Sequence, residues 1–458
     1  MKTSSAIDVK AWIDSRSISR YQWFVLGLCA LIILFDGYDA AVMGFIAPAL
    51  MHDWGMAPAQ MGVILGAGMF GVALGALIAG PYSDRLGRKR VLLVSVLCFG
   101  VFCLLSSFAR GPNEMAVLRF LTGLGLGAVM PNCVTLVSEY MPQGRRGLMI
   151  TLMYCGFNIG SGAGGFVAAA LLPVGGWKAV VMLGGLCPLA IIPVLLWMLP
   201  ESALYMVVRN KSQDKIRHLL QRMGGVFEPA TRFVLHTPAI DKKAQVLKLF
   251  SNGYAQGTLM LWLTYFMGLF VIYLLNGWLP TIMRTNGFSM EKAAITAGLF
   301  QLGGTLGGLL VGTLMDRFQA KKQVIGMAYL LGMSCLLAEG ICDFGPYWLA
   351  VLVFVSGVCV NGAQTGLQAF SPSFYPTEMR ATGVSWMHGI GRSGAIISSS
   401  MGGLLLGVFP GTTSIFIVLS IPAFCAAMAI INHRKASPAV TLKGADSDTP
   451  LQLNTSTQ

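Results

Sequence analysis

GPYSDRLGRKR at 80–90 and GTLMDRFQAKK at 312–322 stand 232 residues apart, and each ends a glycine-rich apolar run in Asp-Arg and a basic cluster. Self-similarity at a fixed offset marks an internal repeat. Two further pairs hold nearly the same offset: GLGLGA from Gly123 with GVCVNGA from Gly357, and YMPQGRRG at 140–147 with FYPTEMRATG at 374–383. The chain therefore reads as two similar halves. In membrane carriers such duplication puts a substrate site at the midplane, between two bundles that rock against each other.

The surroundings of these stretches agree. The chain has 458 residues, of which 55% are hydrophobic and only 11% charged, with 56 glycines, a balance that fits a bilayer rather than a water-soluble core. Apolar runs long enough to cross, about 20 residues each, are predicted at 22–50, 59–80, 91–110, 113–138, 147–172, 178–199, 254–282, 291–315, 322–341, 346–371, 380–407 and 411–432. The expected fold is an all-α integral membrane protein of twelve transmembrane helices in two six-helix bundles. Its expected parts are an N-terminal tail (1–21), a first bundle (22–200), a basic linker (201–253), a second bundle (254–432) and a disordered C-terminal tail (433–458). The polar first 21 residues lack a signal-peptide pattern, so no cleavage is expected.

The net charge of +13 suggests nucleic acid at first sight, but the basic residues follow loop parity instead. Of 32 Lys and Arg, 26 fall in the termini and even-numbered loops and four in the odd ones; Arg119 and Arg392 lie inside apolar runs. By the positive-inside rule both termini and the linker are expected in the cytoplasm, with the chain in a bacterial inner membrane. The ten cysteines form no CxxC pair and sit mostly in apolar runs, where they read as packing residues. No metal, cofactor or nucleic acid is expected, and a monomer is.

GPYSDRLGRKR closely resembles the signature loop of the major facilitator superfamily: Gly80, Asp84-Arg85, then Gly87-Arg88-Lys89. The second copy keeps Asp316 and Arg317 but has Phe318 and Gln319 in place of Leu-Gly. PESALYMV at 200–207 resembles the element that closes the sixth helix in that superfamily. LFDGYDAAVMGFIAP at 34–48 resembles, more narrowly, the aromatic acid/proton symporter family, as do RFLTGLGLGAVMPN from Arg119, SEYMP with Glu139, GWLPTIM at 277–283 and YPTEMRATG running on to Arg392. The resemblance implies a transporter, not an enzyme, that takes up an aromatic carboxylate with protons and feeds aromatic acid catabolism. The alternatives are an importer of another organic acid, polyol or sugar, and a proton-driven exporter.

Charged residues inside a bilayer need a use, because an Asp at its centre costs about 2.5 to 3.5 kcal/mol. Asp36 and Asp39 share one helix face, where ionising both is costly, and such a pair suits a proton carrier. Arg119 stays charged and must be paired, either as part of proton coupling or as a fixed structural partner. Arg392 aligns with Asn158 of the first half and is the candidate anchor for a planar carboxylate, which a guanidinium binds with two parallel hydrogen bonds; the rival role is an intrahelical ion pair. Tyr38 and Trp386 are candidate ring contacts with Tyr154, Phe157, Tyr273 and Trp278, and His388 is a candidate contact or core histidine. Gly80, expected to allow close helix approach, joins Asp84, Arg85, Gly87, Arg88, Glu139, Asp316, Arg317, Glu378 and Arg380 as candidate gating residues, the basic ones facing lipid headgroups.

Overall fold

Helices of membrane-crossing length occupy both halves of the computed structural model. It describes residues 6–228, 231–235, 249–251, 253–285, 287–318, 320–342, 345–409 and 412–433, apart from the side chains of Pro346, Thr377, Glu378, Ala381, Thr412 and Thr413. The tail from 434 on, and 236–248 in the linker, lie outside the described residues. Spans 1 to 4 are Arg20–Trp54, Pro58–Leu86, Arg88–Ser106 and Pro112–Tyr140. One continuous helix, Arg146–Met198, supplies spans 5 and 6 by breaking at Gly176, where φ is 62°. Spans 7 to 12 are Ala255–Thr285, Met290–Phe318, Lys321–Ile341, Pro346–Phe374, Thr377–Val408 and Thr412–Ile431.

Local chemistry sets the ends. Ser19 caps span 1 reciprocally: its hydroxyl accepts the Gln22 N–H at 3.3 Å, and its own N–H donates to Gln22 Oε1 at 2.7 Å. Gly55, at φ 59°, closes the same span in a left-handed conformation. Span 11 is the least apolar crossing, because it carries Ser398, Ser399, Ser400 and Arg392 among its glycines. Apolar side chains cover the outside of the bundle, with Leu77, Val174 and Trp197 each at least 75% exposed. An apolar exterior this extensive is made for lipid.

The N-terminal tail, polar by composition, is ordered against the linker from Ala6 on. Ala6–Asp8 pairs as a parallel strand with Arg232–Val234 of the linker. The short helix Val9–Asp14 buries Val9 and Ile13 fully, and Asp14 accepts the Gln143 N–H at 2.8 Å and sits 3.9 Å from Arg146. Linker helices Ala203–Val208 and Gln213–Arg222 join the same apolar cluster as spans 1 and 4. The tail and the first part of the linker thus belong to the first half.

Glycine decides how closely helices approach. Gly71 and Gly75 of span 2 interlock with Gly123 and Gly127 of span 4; Gly303 and Gly307 of span 8 do the same with Gly357 and Gly362 of span 10. The repeat in sequence is a repeat in packing. Between halves, Gly44 meets the Asn276 backbone, Gly62 and Gly66 meet Ser400, Gly403 meets Pro58, and Gly165 meets Gly298. All these contacts between the halves lie toward the face opposite the basic loops.

Gly160 of span 5 lies against the Leu34 carbonyl of span 1 with no space for a β-carbon. Gly160→Val is expected to cost about 1–3 kcal/mol by overpacking, read as a lower unfolding temperature of the detergent-solubilised protein.

Candidate functional site

Gly37, between the two aspartates of span 1, packs on the Phe157 backbone of span 5, where a β-carbon would overlap the carbonyl. That close approach turns Asp36 and Asp39 into the bundle. Asp39 is held on several sides. Arg119 Nη2 of span 4 donates to Oδ2 at 2.6 Å and Oδ1 at 2.8 Å, and Cys103 Sγ of span 3 stands 3.1 Å from Oδ1. Both partners of the ion pair are almost wholly buried, with Arg119 Nη1 left without a hydrogen bond among the described residues. The pair ties span 1 to span 4.

Asp36 is different. It makes no hydrogen bond or ion pair with any described residue, although it is buried. It opens instead into a cavity of about 660 Å³, counted with its mouth, that Arg392 of span 11 also lines. Arg392 likewise makes no hydrogen bond or ion pair among the described residues. The cavity lies between the halves, with Met43, Met69, Met130, Phe157 and Tyr273 on its walls. Thioether and aromatic surfaces of this kind pack well on a flat ring.

The structure brings Asp36, Asp39, Arg119 and Arg392 together but sends other candidates elsewhere. The Tyr38 hydroxyl donates to the Val180 carbonyl at 2.9 Å and its ring packs beside Gly164 and Gly184, so it stitches span 1 to span 6 away from the cavity. Trp386 stacks on Trp262 at 6.1 Å, and Asn158 is half-buried; neither lines the cavity around Asp36. Trp278 is fully buried and donates to the Ser399 carbonyl at 3.0 Å. His388 belongs to a polar lattice: its Nδ1 is 2.7 Å from Tyr265 Oη, which accepts from Gln368 at 3.3 Å. Tyr265, Gln368 and Cys103 carry no sequence signal of their own, since only the packing of spans 3, 7, 10 and 11 reveals them.

At the basic face the signature loop is knotted to two other segments. Arg88 reaches Asp84 at 3.3 Å and Glu139 at 3.0 Å. Glu201, from the stretch after span 6, caps span 3 by accepting the N–H groups of Arg88 at 2.9 Å and Lys89 at 3.3 Å. Gly87 takes φ 98°, and a β-carbon there would strike the Glu201 carboxylate, so two constraints select glycine. The Arg85 and Asp84 carbonyls accept from Tyr205 and Arg209, both at most 2.9 Å away. Gly80 corrects the expectation of close packing, because a β-carbon there would meet open space. In the second half Asp316 and Arg380 are exposed and make no ion pair with a described residue, Arg317 lies over the Phe318 ring, and the Glu378 side chain is outside the described residues. Among the described residues of the second half, Lys322 Nζ donates to the His433 carbonyl at 2.7 Å, a contact similar in kind to that of Lys89 Nζ with the Leu196 carbonyl at 2.7 Å.

Comparison with known proteins agrees with this architecture. The profile of the Major Facilitator Superfamily matches residues 29–338 and 261–453. The chain is 54% identical to a gallate transporter of Pseudomonas putida, over 95% of the chain and 98% of that protein. It is 46% identical to a 4-hydroxybenzoate transporter of Pseudomonas aeruginosa, over 93% and 95% respectively. Among solved structures, a bacterial homologue of the lysosomal transporter Spinster, inward-facing and unoccupied, superposes with a TM-score of 0.68 at 18% identity, covering 92% of this chain and 99% of that one.

Removing one member of the Asp39–Arg119 pair leaves a buried charge alone, so Asp39→Ala and Arg119→Ala are each expected to cost about 3–5 kcal/mol. The double variant Asp39→Leu/Arg119→Leu regains most of that loss in thermal unfolding, a non-additivity that identifies the pair as one unit.

Proposed function

The chain belongs to the Major Facilitator Superfamily and is a multi-pass transport protein rather than an enzyme, and from that premise we propose that it imports an aromatic carboxylate together with a proton. The observation that carries the proposal is the charge arrangement between the halves: one aspartate held by Arg119, and a second, unpaired, lining the same cavity as the unpaired Arg392. The aromatic acids named for the relatives support the substrate class. The basic face is taken as the cytoplasmic side of a bacterial inner membrane, with both termini and the linker on it.

In the proposed cycle Asp39 stays on Arg119 while Asp36 takes up and releases the proton. Ionised Asp36 neutralises Arg392 across the cavity. A proton on Asp36 frees the guanidinium, which receives the substrate carboxylate in a planar two-bond contact. The ring lies against Phe157, Tyr273 and the methionines. The halves rock with a neutral interior, and release of both ions to the cytoplasm restores the Asp36–Arg392 attraction. The knotted loop of Arg88, Glu139 and Glu201 makes the first half move as one body, with lipid headgroups against its exposed cations.

Uptake of labelled 4-hydroxybenzoate into cells, measured against external pH with and without a protonophore, tests the proposal. Acid-stimulated uptake that collapses with the protonophore is expected. Asp36→Asn is expected to lose accumulation while a pH-independent KM remains in counterflow; accumulation that survives in this variant removes Asp36 from coupling, and an absence of aromatic acid entry in the wild type removes the substrate class.

A further inference from the structure

One side chain on the cavity wall differs from the rest. Apart from Asp36, Asp39, Arg119 and Arg392, every lining residue except Tyr273 is apolar or a glycine. Among the described residues the Tyr273 phenol of span 7 is thus the one uncharged group on that wall able to make a strong hydrogen bond. It is half-buried, and its hydroxyl makes no hydrogen bond with a described residue. Tyr38, Tyr265 and Tyr329 spend their hydroxyls on neighbouring helices instead.

Two independent registers locate it. Tyr273 follows Asp39 by 234 residues, the offset that relates Arg392 to Asn158, so it holds in the second half the place of an aspartate that lines the same cavity from the first. Spans 7 and 11 also run side by side in one direction, because Gly394 meets the Phe266 backbone and, further along both, Gly402 meets the Trp278 ring. In that alignment the α-carbons of Tyr273 and Arg392 are displaced on the order of 10 Å along the helices. Tyr273 lies toward Asn276, whose backbone meets Gly44 across the halves, and Arg392 lies away from it. The displacement is comparable to the length of a hydroxybenzoate with a hydrogen bond at each end.

We propose that Tyr273 is a specificity-determining residue whose phenol hydrogen-bonds a ring hydroxyl opposite the carboxylate held by Arg392, so that the carrier selects para-hydroxylated aromatic acids over benzoate. This rests on the carriage of an aromatic carboxylate proposed above. The Tyr273 ring flanks the substrate ring, and its hydroxyl meets the far edge. A phenol both donates and accepts, so it pairs with a ring hydroxyl in either sense. Benzoate sets a C–H against it and leaves it unpaired, which is how a site that reads a hydroxyl rejects the analogue lacking one.

The test is the ratio of Vmax/KM for 4-hydroxybenzoate to that for benzoate, two probes that differ by one hydroxyl, measured as initial uptake normalised to transporter in the membrane. The wild type is expected to favour 4-hydroxybenzoate by about tenfold. Tyr273→Phe, which removes one oxygen and keeps the ring, is expected to bring the ratio to about one through a higher KM for 4-hydroxybenzoate. If that variant does not reach the membrane, Tyr273→Met decides the matter in the same assay. A wild-type ratio near one, or a variant that lowers both acids equally, overturns the role of Tyr273 while leaving aromatic acid import standing. Entry of neither acid in the wild type overturns import and this inference together.

Discussion

The ion pair between Asp39 and Arg119 is the constraint on which the rest of the interior turns. A guanidinium cannot be neutralised by losing its proton, so a permanent cation in span 4 requires an anion within reach. Asp39 meets that need at 2.6 Å, and span 1 must hold one rotation against span 4 to deliver it. That rotation sets where Asp36 points, three residues earlier on the same helix. One aspartate is thereby immobilised by the fold, and its neighbour is left without a partner in the cavity.

The halves repeat in packing but not in chemistry. The glycine interlocks of spans 2 and 4 recur in spans 8 and 10, because close helix crossing is a geometric need of both bundles. The first half adds the buried ion pair and the knot of Arg88, Glu139 and Glu201; the second adds the Tyr265–His388–Gln368 lattice and Arg392. The held ion pair and the unpaired Asp36 both lie on the first-half side of the cavity, and Arg392 and Tyr273 face them from the second.

Much of this was legible in the sequence, for reasons that differ by residue. Twelve crossings, the repeat and the buried charges are one-dimensional signals: run length, offset and a charge in an apolar stretch. Asp36, Asp39, Arg119 and Arg392 were found because burying a charge without use is costly, and that rule needs no coordinates. Tyr38 and Trp386 were assigned to the ring site by residue type, but which way an aromatic points is set by the neighbouring helix, and Val180 and Trp262 claim them. Glu201 was legible only as part of a motif, since its work as the cap of span 3 depends on a contact 113 residues distant in the chain. The packing of the polar tail was not legible for a similar reason, because Val9 and Ile13 find apolar partners only once the linker folds against spans 1 and 4.

The charge count of the cavity gives the proposed coupling its logic. With Asp36 and Asp39 ionised against Arg119 and Arg392, the set is neutral. A proton alone makes it a net cation, and a carboxylate alone makes it a net anion; either excess must then be carried through a low-dielectric passage, at about 2.5 to 3.5 kcal/mol on insertion scales. A proton and a monoanion together restore neutrality, as does the empty carrier with neither. Two of the four loading states are thus suited to rocking, the empty and the doubly loaded, which is the condition for symport without leak. No residue has to sense both ligands at a distance, because each changes the same sum.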